Sequence, residues 1–287
     1  MLSALIWLPV IGAVFIALSP RSSPANISRW LALGCSGASF LIAILLAFQF
    51  NALEAGMQFE ELLPWIASLG LTYRLGVDGL SLPLIIINGL LTWIAVYSTE
   101  PSIQRPRLYY SLVLLLNAGV AGAFLSQNLL LFFLFYEIEL IPLYFLIAIW
   151  GGARSGYAAT KFLIYTAFSG ILILAAFLGV VWLSDATSFE YGAVNTQLLP
   201  LGSQFVLLGL LLVGFGIKIP LVPLHTWLPD AHVEASTPIS VLLAGLLLKL
   251  GTYGLLRFGL QLFPEAWSLW APGLATWAVV SVLYGAF

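Results

Sequence analysis

The feature that most constrains this chain is a succession of about nine apolar stretches, each roughly 20 residues long. They fall at about 2–18, 30–50, 79–98, 109–125, 129–150, 161–183, 203–222, 239–262 and 268–287. A run of that length crosses the hydrocarbon of a bilayer as an α-helix, and none shows the alternation of a membrane barrel strand. A helix also satisfies its backbone N–H and C=O groups within the segment, as lipid demands. The expected fold is therefore all-α and integral to the membrane, with about nine transmembrane helices. Composition excludes a soluble domain, being 61% hydrophobic and 8% charged. A net charge of −2 gives nucleic acid no electrostatic handle. The single cysteine, Cys35, excludes an intrachain disulfide and a thiolate metal cluster. The N-terminus lacks a basic leader region and reads as a retained first span rather than a cleaved signal.

Loops alternate in charge. The first holds Arg21 and Arg29, the third Arg105 and Arg107, the fifth Arg154 and Lys161. The opposite loops hold Glu54, Glu60 and Glu61 with Arg74 as the exception, then Ser126-Gln127-Asn128, then Asp185 and Glu190. The positive-inside rule puts the odd loops on the cytoplasmic side and the N-terminus on the lumenal or outer side. Trp7, Trp30, Trp65, Trp150, Trp182, Trp227 and Trp267 suit the membrane interface. The loop at 51–78 contains strand-like and turn-like pieces, including Gly76, and reads with Gly79 as a small extramembrane element on the outer side.

One stretch breaks the apolar rule. Residues 214–250 carry Lys218, His225, Asp230, His232, Glu234 and Lys249, with prolines at 220, 223, 229 and 238. A proline in a helix removes one donor and clashes with the carbonyl four residues earlier. Pro220 thus frees the carbonyl of Gly216, and Pro223 that of Ile219. At membrane depth such groups persist only when buried in protein or lining a wet cavity. Two readings are open: a loop between two spans with a snorkelling Lys218, or one broken membrane helix of the kind transporters use to carry ions.

Two further spans hold ionisable groups. Glu137 and Glu139 lie inside 129–150, separated by roughly 200° on a helix, so they face different directions. Pro142 frees the carbonyl of Ile138 beside them. A charge at this depth costs about 2.5–3.5 kcal/mol, so each carboxylate either pairs with a neighbouring helix or serves a function. Lys249 is mid-span, too deep for comfortable snorkelling, whereas Arg257 reads as an interface anchor. Ser169 and Gly170 read as close-packing residues. Burial disfavours the charged form of an amine or carboxyl, and an opposite charge restores it. A Glu–Lys pair that parts and re-forms thereby changes its proton affinity, which a proton relay requires. The candidates are Glu137, Lys218 and Lys249, with His225 and His232 beside the break and Glu139 and Asp230 as accessories. There is no nucleotide cradle, and His225, Asp230, His232 and Glu234 do not form a ligand cluster; neither metal nor cofactor is expected on this chain.

At these residues the sequence resembles a known family. FFLFYEIELIPLYFLIAIWG, then KIPLVPLHTWLPDAHVEASTPISVLLAGLLLKLGTYGLLRF, resembles the antiporter-like subunits of respiratory complex I and the related multisubunit sodium/proton antiporters. The resemblance extends over essentially the whole chain, more weakly in the first two spans and in 51–75. The second glutamate of FYEIELIPLYFLIAIWGG suggests the photosynthetic branch, the D-type (chain 4) subunits of the NAD(P)H–plastoquinone oxidoreductases of cyanobacteria and plastids. The resemblance implies that Glu137 is the fifth-helix glutamate and pairs with Lys218 at the seventh-helix break. It further implies that Lys249 links the input half of the path to the centre, with His225 in the PLH motif and Asp230 and His232 in the DAH segment. Flavin, iron–sulfur clusters and plastoquinone would belong to partner subunits of the complex, and the membrane would be the thylakoid.

Members of that family run to about fourteen helices in two inverted repeats, whereas this sequence stops in the ninth. The expected organisation is 1–108 as N-terminal helices and outer loop, 109–262 as a first five-helix repeat, and 263–287 as the start of a second. The chain would then be a truncated or partly represented subunit; a short natural form completed by another chain is the alternative. Four functional readings follow. The first is a proton-translocating subunit of a plastoquinone-reducing complex. The second is a subunit of a cation/proton antiporter. The third is a carbon dioxide uptake variant of the first, with a carbonic-anhydrase-like partner. The fourth is a structural membrane spacer, which has no need to bury lysines.

Overall fold

A computed structural model describes residues 1–20 and 25–286; Arg21 of the first loop lies outside the described residues. The helices are α1 (Leu2–Leu18), α2 (Ala25–Gln49), α3 (Ser81–Ser98), α4 (Pro106–Leu125), α5 (Leu129–Ile138), α6 (Leu140–Trp150), α7 (Ser155–Leu183), α8 (Leu201–Lys218), α9 (Trp227–Glu234), α10 (Thr237–Leu242), α11 (Leu248–Gly254) and α12 (Pro264–Ala286). Short π-helical stretches at Leu243–Leu247 and Leu255–Leu260 join α10 to α11 and extend α11. Among the described residues, 8 helical spans are long and apolar enough to cross a membrane, and the 17-residue α1 is a shorter ninth apolar helix. The apolar runs thus become helices as expected. The span at 129–150 departs from regularity, being interrupted at Glu139 between α5 and α6.

The departure from an all-α chain lies in the 51–78 loop, where β1 (Gln58–Ile66) and β2 (Leu71–Val77) form an antiparallel hairpin. Gly70 at its tip has φ +62°, and a Cβ there would stand 2.9 Å from Ser188 Cα, so the turn and the close approach both call for glycine. The hairpin pairs its edge with other loops of the same end. Gln127 N–H donates to the Arg74 carbonyl at 2.9 Å, and Phe189 N–H to the Gly70 carbonyl at the tip at 3.3 Å. Arg74, the exception to the charge pattern, is neutralised there by Glu60 and Glu190, each at 2.8 Å. The odd loops gather at the other end. Arg29 reaches the Tyr97 carbonyl at 2.8 Å, Arg107 the Ser19 carbonyl at 2.7 Å, and Gly152 N–H the Glu234 carbonyl at 2.8 Å.

At the centre stands α4, whose side chains from Tyr109 to Leu125 are nearly all buried. It packs against α1, α2, α3, α5 and α6, while α7 packs on α6 and α8. On α12, by contrast, only Ala266 is buried. Trp227 is a correction to the interface belt: it is fully buried, because its indole N–H is needed at the helix break.

Candidate functional site

The site is built on the break after α8. Pro220 offers no N–H, so the next donor, Leu221 N–H, reaches back to the freed Gly216 carbonyl at 2.7 Å. That leaves Ile217 C=O, which accepts from the Trp227 indole at 2.7 Å. Further on, Val222 N–H donates to Ser281 Oγ at 3.2 Å, and Val222 C=O accepts from the Trp277 indole at 2.5 Å. Protein donors thus meet the Gly216, Ile217 and Val222 carbonyls at the break, as the bilayer favours at this depth.

Lys218 closes α8 and is 1% exposed. Its ammonium forms an ion pair with Glu139, which is 0% exposed, and lies 3.5 Å from the centre of the Tyr136 ring. The Tyr136 hydroxyl donates to Ser169 Oγ at 3.1 Å, and Ser169 donates to the Gly214 carbonyl at 2.7 Å. A carboxylate and an aromatic face together offset the desolvation of the ammonium. Glu139 Oε2 remains buried without a partner.

The pairing of Lys218 with Glu137 is therefore corrected. Glu139 occupies the interruption between α5 and α6, with Pro142 in the first turn beyond it. Glu137 is half-buried and leans on α7, where a Cβ at Gly170 would overlap its carboxylate; its Oε1 has no partner. Glu137 thus lies against Gly170 on α7 while Glu139 meets Lys218 of α8, so the lysine takes the second carboxylate. Gly170 is a close-packing residue as expected, against the Glu137 side chain, while Ser169 packs closely on Gly214 and also hydrogen-bonds Tyr136.

The remaining candidates are dispersed. Lys249 is exposed and donates to its own helix at the Ala244 carbonyl, 3.2 Å away, so the chain does not bring it to Lys218. His225 packs edge-on against Tyr284 with ring centres 5.2 Å apart, and its Nδ1 is buried without a partner. Asp230 is held by Lys161 at 2.7 Å. Through its carbonyl, His232 accepts from Ser240 Oγ at 3.2 Å.

Sequence reasoning missed two elements. Tyr136 stands three residues before Glu139, on the same helical face, and that spacing could have flagged it. Arg257 is not an interface anchor; it is buried and bonds Asp78 Oδ2 at 2.5 Å. Just ahead of α3, Asp78 Oδ1 also accepts from Ser81 N–H at 2.9 Å while Ser81 Oγ accepts from Asp78 N–H at 3.0 Å, and the Asp-x-x-Ser spacing was the available signal. Burial pushes the Asp78 carboxyl up, but hydrogen bonds from Arg257 and Ser81 outweigh it and hold the carboxyl below its ordinary value.

The fold and this arrangement define a polytopic helical membrane protein with a buried carboxylate–lysine pair beside a broken helix. Residues 126–287 match the model of the family described as NADH:quinone oxidoreductase/Mrp antiporter, TM, and the chain belongs to that family. This bears out the resemblance carried by 132–151 and 218–258. The chain is 43% identical to NAD(P)H-quinone oxidoreductase chain 4 2 of Thermosynechococcus vestitus, over 99% of its own length and 54% of the relative's. It is 46% identical to NAD(P)H-quinone oxidoreductase chain 4 3 of a Picosynechococcus species, over 100% of its length and 52% of the relative's. The chain thus spans about half the length of the curated relatives it matches. Among solved structures, respiratory complex I from Thermus thermophilus contains a similar chain, with 28% identity and a TM-score of 0.85, covering 100% of this chain and 58% of that one. A chain of the Mrp complex from a Dietzia species shares the fold, with 23% identity and a TM-score of 0.78, covering 93% of this chain and 29% of that one.

Proposed function

We propose that this chain forms part of a proton-translocating membrane subunit of an NAD(P)H–plastoquinone oxidoreductase of the complex I type. The observation that carries the reading is the fully buried Glu139–Lys218 pair at a helix break whose Gly216 and Ile217 carbonyls are met by protein donors. A lysine drawn toward its carboxylate holds its proton, and one released into an apolar surrounding gives it up. Movement at the break can therefore alternate the two states. Glu137, with an unpartnered oxygen, serves as a second carboxylate, and His225, beyond the break and against α12, as a proton acceptor farther along the path. Lys249, on a face this chain leaves exposed, carries the path onward to the rest of the subunit. His232 and Asp230 flank the break as accessories.

In this reading 109–262 is a first antiporter-like repeat and 263–287 opens a second. Iron–sulfur clusters and plastoquinone sit on partner subunits of the membrane arm and its attachments. The membrane is the thylakoid, with the N-terminus lumenal by the distribution of Lys and Arg. A carbon dioxide uptake form would add a carbonic-anhydrase-like subunit. The test is Lys218→Met in the assembled parent complex: quinone reduction persists and protons moved per electron fall sharply. Unchanged pumping would make Lys218 a structural charge. Purification of the chain without flavin and iron–sulfur partners would favour the cation/proton antiporter reading.

A further inference from the structure

A second polar feature lies away from the Glu139–Lys218 pair. α3 is an apolar helix, yet Asn88 and Thr92 fall on its buried side, and Thr99, the residue that follows it, is buried too, with the small Ala95 between the two threonines. Asn88 Nδ2 donates to the Asn117 carbonyl on α4 at 3.1 Å, and Thr92 Oγ1 donates to Asn117 Oδ1 at 3.3 Å. Asn88 is 2% exposed and Asn117 1%, yet Asn88 Oδ1 and Asn117 Nδ2 have no partner. One is an acceptor and the other a donor, two buried groups at the depth where an unmet polar atom is most costly.

At the odd-loop end of the same helix, a cavity of about 380 Å³ is lined by Ser98, Thr99, Glu100, Tyr109, Ser236 and Thr237. Its inner wall carries the Thr99–Tyr109 hydroxyl pair, 3.2 Å apart, and the Ser236 hydroxyl, which is buried without a partner. From Thr99 to Thr92 is about 10 Å along the helix axis, and to Asn88 about 16 Å. Lipid-facing α3 residues such as Ile87 and Ile94 show none of this polarity.

We propose that the α3–α4 interface is a hydrated seam: a water path entering at the Thr99–Tyr109–Ser236 cavity and ending at Asn88 and Asn117. The ligand class is water, which meets an acceptor and a donor at once. The seam supplies the membrane interior with solvent from the odd-loop face, independently of the broken helix.

The test uses silver ion, which is close to water in size, reacts with thiolates and does not cross dry hydrocarbon. In membranes holding the assembled parent complex, with Cys35→Ala as background, single cysteines replace Thr92, Thr99, Ile87 and Ile94. Silver is applied from the odd-loop face, and the thiols left unreacted are counted with maleimide after denaturation. Thr99→Cys and Thr92→Cys are protected at least about tenfold faster than Ile87→Cys and Ile94→Cys, because a bare ion is excluded from apolar surroundings. Ala95→Cys, a small change at a buried position on the same face, gives the same answer if Thr92→Cys fails to assemble. Equal rates at Thr92 or Ala95 and at Ile94, or reaction only from the opposite face, would overturn the seam.

Discussion

Glu139 and Glu137 make the sharpest comparison this fold offers, since two substitutions of identical chemistry fall two residues apart. Glu139→Gln removes the charge that faces Lys218, and taking one partner from a buried ion pair costs about 3–5 kcal/mol. The amide still presents a carbonyl to the ammonium, and a hydrogen bond to a charged group returns about 1.5–3 kcal/mol. The net loss is about 2 kcal/mol, roughly thirtyfold in the folding equilibrium. Glu137→Gln breaks no ion pair among the described residues, and its Oε1 has no partner to lose, so its cost stays within about 1 kcal/mol. Equilibrium unfolding of the purified protein in mixed micelles, followed by tryptophan fluorescence, measures both. Lys218→Met added to each background completes the cycle: with Glu139→Gln the second loss is smaller than with Glu137→Gln, because the pair is already broken. Equal costs for the two glutamines, or a stronger coupling of Lys218 to Glu137, would refute the assignment of the pair.

Three further outcomes follow from the packing. Gly170→Ala drives a methyl group into the Glu137 carboxylate, the free end of a flexible side chain with an unpartnered oxygen, so the carboxylate swings aside and the cost stays within about 1 kcal/mol in the same unfolding assay. Trp227→Phe keeps the buried ring but strips the donor from the Ile217 carbonyl at the break, a loss of about 1–3 kcal/mol. Asp78 has a folded-state pKa below its unfolded value, so its contribution is present above the unfolded pKa of about 3.9 and is lost as pH falls through the folded pKa. Stability measured against pH on that acid limb becomes shallower in Asp78→Asn.

Much of this architecture was legible because lipid leaves few choices. Runs of apolar residues had to be helices, and prolines at 220 and 223 had to break one. The lysine at that break was a candidate from its place two residues before Pro220. Its partner was not legible, because the choice between Glu137 and Glu139 depends on how the chain passes the interruption before Pro142, and a regular helical wheel does not contain that interruption. Arg257 was misread for a related reason. Distance from a span's end says nothing about a carboxylate brought from elsewhere in sequence, and Asp78 arrives from the far side of α3. Trp227 went astray because tryptophan at a span's edge usually serves the headgroups, whereas here a broken backbone had a claim on its N–H. Lys249 was not legible either: which face of the helix it takes depends on the π-helical stretches either side of it.

Val222 ties two distant parts of the chain together. Its N–H and its C=O are both held by side chains of α12, Ser281 and Trp277, one turn apart. A slide of α12 by a single turn, about 5.4 Å, would release both groups at once into a place with no water to receive them. The break and the last helix are thus geared to each other: α12 cannot shift without the kink beside Lys218 registering it, and the kink cannot straighten without pushing α12 aside.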